Sequence, residues 1–341
     1  MKQLRIQLKT NSYNIFIEDD ILFHLSFYIK EVYHNKKIYI ITDDIVEKLY
    51  LEAVKNSLKD YEVESVVIPH GEASKSIEMY ASVVQKLLDK DIRRNELLLA
   101  LGGGVIGDLT GFVAATLYRG LPYVSVPTSL LSQMDSSIGG KTGIDFYERK
   151  NILGCFKQPK LVLIDPKVLH TLSKREWNNG MGELIKHAAI GNEKLFEMLK
   201  HKPEVDEEII YQSLCVKQSV VEKDEFDTKE RMLLNFGHTF GHAIELKLGV
   251  KHGEAVALGM LMVLRFGMDV GLTEEYCYKE LKEIIKQYDL PCEEPSYKEY
   301  ILEIAKDKKN LAGKINMVLL SKIGQAFLYP VEEKHLKELI K

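Results

Sequence analysis

At 341 residues, 45% hydrophobic and 28% charged, the chain has an ordinary globular composition and enough length for two domains, each with its own core. Its 46 basic and 50 acidic residues leave a net charge of −4, so no basic excess points to nucleic acid, and any anion site must be local. The four cysteines, Cys155, Cys215, Cys277 and Cys292, contain no C-x-x-C, which argues against a disulfide framework or a structural zinc knot and for a reducing compartment.

The N-terminus, MKQLRIQLKT, alternates like a strand and carries no apolar signal-peptide region, and the longest apolar stretch, Ala255 to Leu264, is too short to span a bilayer. These features predict a cytoplasmic protein without a membrane partner. Residues 1–17 read as two short strands joined at Asn11-Ser12, and Ile21 to Tyr33 as a helix. Lys37 to Thr42 is a buried strand ending at Asp43-Asp44, followed by an amphipathic helix over Ile45 to Tyr61. A strand over Val63 to Pro69 leads through His70-Gly71-Glu72 to a helix over Ile77 to Asp89. Leu97 to Gly111, LLLALGGGVIGDLTG, runs from a strand into glycines, with a helix over Phe112 to Leu117. Tyr123 to Val126 is a strand ending in Pro127-Thr128-Ser129, and Leu161 to Ile164 is another, closed by Asp165-Pro166.

Beyond residue 171 the pattern turns helical, over Glu176 to Ile190, Leu195 to Leu199, Glu207 to Lys223, Lys229 to Leu248, Gly253 to Val270 and Thr273 to Tyr288. Ile315 to Leu320 and Gln325 to Tyr329, divided by Gly324, form a late hairpin. The fold class predicted is therefore α/β: a Rossmann-like α/β domain with a mostly parallel sheet over 1–170, then an all-helical domain over 171–341. Ligands of such architectures favour the interdomain cleft.

Gly102, Gly104 and Gly107 satisfy G-x-G-x-x-G, a pattern that carries little by itself. The acidic residue expected about 20 positions later is missing, since the chain there reads Val126-Pro127-Thr128. Glycines before a helix start still suit a phosphate-like group. His238 and His242 lie four apart on one helix face, and His252 follows ten residues later. Three of the chain's ten histidines within 15 residues, beside glycines, favour a catalytic divalent metal over three unrelated packed histidines. Either His242 or Glu183 could complete that site. A cationic set comprises Arg119, Lys141, Lys150, Lys186, Lys217, Arg231 and Lys308-Lys309, most at loop tips or beside glycines. Gly139-Gly140-Lys141-Thr142 is similar to the tail of a phosphate cradle, without the first glycine of a P-loop. No G-x-S-x-G elbow is present.

Together these segments resemble the 3-dehydroquinate synthase family along essentially the whole length. The carriers are PHGEASK from Pro69, GGGVIGDLTGF from Gly102, Arg119-Gly120, PTSLLSQMDSSIGGKTGID from Pro127, Lys150-Asn151, Gly182-Glu183 with Lys186, NFGHTFGHA from Asn235, His252-Gly253-Glu254 and Asp307-Lys308-Lys309. The resemblance implies NAD on Asp43, Glu72, Lys75, the turn Gly104, Val105, Ile106, Gly107 and Asp108, and Thr128, Ser129, Lys141, Lys150 and Thr171. It implies a divalent metal, zinc or cobalt, on Glu183, His238 and His252. The sugar phosphate substrate would meet Asp135, Lys141, Asn151, Lys186, Lys217, Arg231, Asn235, His242 and one of Lys308 and Lys309. Arg119 would reach the phosphate of a neighbouring subunit, which implies a homodimer. The sequence departs from the family at Ile45, where an asparagine is common, and at Ser129, usually a threonine.

The implied reaction converts 3-deoxy-D-arabino-heptulosonate 7-phosphate to 3-dehydroquinate and phosphate by transient oxidation, elimination, re-reduction and aldol closure, with His242 as proton carrier. The alternatives weighed are another sugar phosphate cyclase, such as a 2-deoxy-scyllo-inosose synthase, a metal-dependent polyol dehydrogenase, and a non-catalytic phosphate-binding protein.

Overall fold

The run Leu97 to Leu101 explains the central layer. In a strand, successive side chains face opposite ways, and here both faces are covered. Leu97, Leu99 and Leu101 join one apolar cluster with Ile38, Ile40, Val124 and Leu163. Leu98 and Ala100 join the other with Tyr39, Ile41, Ile106 and Val113. The computed structural model describes residues 1–147, 149–201, 204–301 and 314–332.

Two compact units result, one of 1–172 with 206–211, the other of 173–205 with 212–341. The first holds a seven-stranded sheet built from β1 (Lys2–Ile6), β2 (Tyr13–Ile17), β3 (Lys37–Asp43), β4 (Glu62–Ile68), β5 (Leu97–Gly102), β6 (Tyr123–Pro127) and β9 (Leu161–Ile164). Two further strands, β7 (Lys141–Phe146) and β8 (Arg149–Phe156), make a separate antiparallel hairpin. The sheet order is β1-β2-β9-β6-β5-β3-β4, parallel throughout except for the β1–β2 pair. After β3 the chain adds β4 on one side and β5 on the other. That reversal places a ligand crevice at the carboxyl ends of β3 and β5.

Several expected elements differ. The helix after the glycines starts at Gly104 and runs to Thr116, so Gly107, Asp108 and Gly111 are helical. Without Cβ atoms the turn packs tightly: a Cβ on Gly102 would lie 2.6 Å from Ile106, and one on Gly111 2.3 Å from Thr142. Ile21 to Tyr33 contains only a 3₁₀ turn over Ile21–His24 and a short helix over Leu25–Ile29. The helical stretch after β3 stops at Ser57 rather than Tyr61. The β7–β8 hairpin occupies a segment where no strand was expected. Gly139 and Gly140 have φ of 91° and 69°, and Lys141 opens a strand, so no helix follows to complete a cradle there.

Among the described residues, the strands of the second unit are those of the hairpin β10 (Lys314–Lys322) and β11 (Gln325–Glu332), which pairs Met317 with Tyr329 and Leu319 with Phe327, and its other regular elements are helical. The expected single helix over Lys229 to Leu248 is broken. A 3₁₀ turn over Glu230–Asn235 is followed, past Gly237, whose φ is 80°, by an α-helix over His238–Leu248. Among the described residues no helix is long and apolar enough to cross a membrane.

At the end of β9 the buried Asp165 carboxylate accepts the backbone N–H groups of Asp20, Lys167 and Leu22 at 3.1, 3.0 and 3.3 Å. Asp165→Ala leaves these donors without their acceptor. Urea unfolding is expected to show a loss of about 2–3 kcal/mol.

Candidate active site

Three helices of the second unit meet almost without side chains between them. The helix Lys174–Gly191 crosses the helix His252–Asp269 at Gly182, where a Cβ would lie 2.2 Å from the Gly253 carbonyl oxygen. A Cβ on Gly253 would lie 2.1 Å from the Asn179 carbonyl oxygen, and the Gly253 N–H donates to Asn179 Oδ1 at 2.8 Å. The helix His238–Leu248 approaches through Gly237 and Gly241: a Cβ on Gly259 would stand 2.1 Å from the Gly237 oxygen and 2.7 Å from the Gly241 nitrogen. Glu183, His238 and His252 are the chain neighbours of Gly182, Gly237 and Gly253. Close backbone approach is what brings their side chains together.

Glu183, 1% exposed, points its Oε1 at His238 Nε2, 3.3 Å away, and at His252 Nε2, 3.2 Å away. The second nitrogen of each imidazole is engaged outward, Nδ1 of His238 with the Phe236 carbonyl and Nδ1 of His252 with Glu245 Oε2, both at 3.2 Å. Lys186, also buried, forms an ion pair with Glu183 Oε2. Burial holds the His238 imidazole neutral, its pKa lowered to about 3 despite Glu183. Burial also disfavours the charged form of His252, but Glu183 and Glu245 outweigh it and raise that pKa to about 9. Two neutral-capable nitrogens and a carboxylate oxygen, all within 4.8 Å, with their rings oriented from behind, form a donor set of the kind that suits zinc or cobalt. His242 is exposed, its ring centroid 5.4 Å from that of His238, and stands outside this trio. Of the two candidates the sequence left open, Glu183 is the one whose carboxylate lies between His238 and His252.

Glu245 was not singled out in the sequence. It lies seven residues after His238, two turns along the same helix face, and that spacing could have revealed it.

The cations of this unit correct the expectation of loop tips. Lys186 and Lys217 lie within helices and are 2% and 4% exposed, and Arg231 is buried in the 3₁₀ turn. Arg231 Nη1 donates to the Glu225 carbonyl at 2.8 Å. Its backbone is fixed by Asp224, whose carboxylate accepts N–H groups from Thr228, Lys229 and Arg231. Burial pushes the Asp224 pKa up, but these donors outweigh it and bring it down to about 2. Asn235 is exposed at the end of the same turn. Lys308 and Lys309 lie outside the described residues.

In the first unit, the helix Gly104–Thr116 begins at Gly103 with no side-chain cap. The Gly107 N–H is already bonded to the Gly103 carbonyl at 3.0 Å, so the N–H groups open to a ligand are those of Gly104, Val105 and Ile106. The Ile106 side chain is buried, whereas the space around Gly107 Cα is open. Thr128 is tied to this turn by its N–H to the Gly102 carbonyl, and Ser129 hydrogen-bonds Ser132. Across the crevice, Asp43 caps its helix through Oδ1, which accepts from Ile45 and Val46. Lys75 gathers three motifs distant in sequence. Only 4% exposed, it donates to Asp108 Oδ2 at 2.7 Å and to Asn151 Oδ1, with Glu72 Oε1 4.0 Å away. Thr171 is held by the Tyr50 hydroxyl at 2.6 Å, a partner the sequence did not reveal. Arg119, Lys141 and Lys150 are exposed, Asp135 is half-buried, and Arg119 has a φ of 65°.

The 3-dehydroquinate synthase N-terminal family matches residues 65–179, and the 3-dehydroquinate synthase C-terminal family matches residues 180–310. The chain is 44% identical to the 3-dehydroquinate synthase of Clostridium botulinum over 96% of its own length and 97% of the relative's. It is 45% identical to that of Clostridium acetobutylicum over 98% of each. Among solved structures, ValA, a 2-epi-5-epi-valiolone synthase from Streptomyces hygroscopicus with NAD+ and Zn2+ bound, superposes with a TM-score of 0.86 at 27% identity, covering 98% of this chain and 97% of that one. The fold is that of an enzyme class, the sugar phosphate cyclases. Within that class the chain belongs to the 3-dehydroquinate synthase family.

Gly253→Ala is expected to force apart the crossing helices and destabilise the protein by at least about 3 kcal/mol, measured by denaturant unfolding. Wild-type stability in that variant would show that the crossing can widen freely.

Proposed function

We propose that the chain converts 3-deoxy-D-arabino-heptulosonate 7-phosphate to 3-dehydroquinate and phosphate, a step of the shikimate pathway to aromatic amino acids. The observation that carries this reading is the convergence of Glu183, His238 and His252 on one point beside the buried Lys186. Glu183, His238 and His252 would hold the metal. The open N–H groups of Gly104 to Ile106, with Lys75, Thr128 and Ser129, would hold the NAD pyrophosphate, and Asp43, with Oδ1 used in capping, would offer Oδ2 to a ribose hydroxyl. When bound, NAD accepts and returns one hydride and the divalent metal polarises the hydroxyl being oxidised.

The chain's own groups do the rest. Lys186, Lys217 and Arg231 offer desolvated positive charge to the substrate carboxylate and phosphate, where charge-assisted hydrogen bonds are strong. Glu183 both orients Lys186 and draws the two imidazoles inward. His242, exposed beside the trio, accepts and returns a proton at imidazole nitrogen, and Asn235 offers an amide to substrate hydroxyls. Asp135, Lys141, Asn151 and Lys308 complete the substrate set, and Lys150 and Thr171 the cofactor set. Arg119 serves the phosphate of a neighbouring subunit in a homodimer. The three buried cations favour a substrate that carries a carboxylate in addition to its phosphate over sugar phosphates without one.

With the heptulosonate phosphate, trace NAD and zinc, the protein should release phosphate without net NADH. NADH accumulating on polyols without phosphate release would make it a dehydrogenase instead. His238→Ala should lose bound zinc, measured by elemental mass spectrometry after dialysis, and lose turnover; near-normal activity in that metal-depleted variant would sink the ligand assignment. Lys141→Ala should lose activity with an unchanged melting temperature, and wild-type kinetics there would remove Lys141 from the site.

A further inference from the structure

In the β7–β8 hairpin the register passes from Ile144 opposite Leu153 to Phe146 opposite Arg149. Between these pairs one residue of β7, Asp145, faces three of β8: Lys150, Asn151 and Ile152. Extra residues on one strand form a bulge, which bends the strand and re-aims its side chains. Within it Asn151 adopts a φ of 54°, a left-handed conformation that non-glycine residues enter only when their surroundings hold them there.

Three hydrogen bonds supply that hold and close a ring. The Asp145 N–H donates to the Lys75 carbonyl at 2.7 Å. Asp145 Oδ1 accepts the Asn151 N–H at 2.7 Å. The Lys75 ammonium donates to Asn151 Oδ1, completing the circuit. The Asn151 N–H has no ladder partner in the bulge, so the Asp145 carboxylate takes the place that a strand carbonyl would otherwise fill.

We infer that Asp145 is a positioning residue: by accepting the Asn151 N–H it fixes the bulge that aims the Asn151 amide, and it ties that amide to the lysine of the cofactor set. The inference rests on the proposed reading that Asn151 meets the substrate and Lys75 the cofactor. It differs from a purely structural role because its effect passes through the Asn151 side chain. Loss of the carboxylate should therefore harm catalysis only while that side chain is present to be aimed.

The test compares Asp145→Ala, Asp145→Asn, Asn151→Ala and the Asp145→Ala/Asn151→Ala double variant in the zinc- and NAD-loaded enzyme, with melting temperatures alongside. Asp145→Ala should lower kcat/KM for the heptulosonate phosphate by about tenfold to a hundredfold, the scale of a displaced contact. Asp145→Asn keeps an acceptor oxygen in place and should restore most of the activity. In the Asn151→Ala background the further loss from Asp145→Ala should be under about twofold, within the usual tolerance for non-additivity. Wild-type kinetics in folded Asp145→Ala, or an equal loss in both backgrounds, overturns the positioning role. If Asp145→Ala fails to fold, Asp145→Ser, whose hydroxyl is too short to reach the Asn151 N–H, is read by the same criteria. No turnover by the wild type itself overturns the reading of the site and this role with it, whereas turnover in wild type and Asp145→Ala alike overturns only the role of Asp145.

Discussion

The close approach of three helices at glycine is the constraint on which the second unit depends. Side chains normally keep helix axes 8–10 Å apart. At Gly182, Gly237, Gly253 and Gly259 the backbones come near enough that a methyl group would overlap a carbonyl or amide. One carboxylate can then stand between two imidazoles, and a buried lysine can sit behind it. A wider crossing would separate the three donors, leaving Glu183 and Lys186 as an isolated ion pair in an apolar interior. Such a pair is expensive to bury without further partners.

The first unit solves a similar electrostatic problem by different means. Lys75 and Lys186 are both buried ammonium groups, each next to a carboxylate, Asp108 in one unit and Glu183 in the other. Each lysine arrives from its own local element, and in each case the acidic partner belongs to the residue set that would bind a ligand. Charge burial is tolerated because the ion pair exists before any ligand comes.

Much of this was legible in the sequence, for identifiable reasons. The apolar runs of β3, β5 and β9, and of β6 apart from Ser125, mark strands covered on both faces, and Glu183, His238 and His252 could be nominated from residue type and motif. Three features were not legible. The β7–β8 hairpin is short on alternation, with Gly143 and Gly154 in the strands and a bulge interrupting the register, so no strand was expected there. The break at Gly237 was hidden because Arg231, Leu234 and His238 sustain a helical spacing through it. The burial of Lys186 and Lys217 reverses the usual habit of lysine, and only the surrounding tertiary contacts could reveal it. Glycine spacing announced unusual turns. It did not announce that the same residues would serve as contact points between helices.

The uncapped start of the helix Gly104–Thr116 has a thermodynamic consequence. Most helices complete their first turn with a Ser, Thr, Asp or Asn side chain, and this one has neither such a cap nor an acidic residue in its first turn. Its opening N–H groups are met by no side chain of their own N-cap, and water is a weaker answer to the helix dipole than an anion. An anion bound there would act as the missing cap and would add RT ln(1 + [L]/Kd) to the stability of the folded chain. On the proposed reading, the cofactor's pyrophosphate supplies this last local interaction, and the fold of the first unit is finished by its ligand.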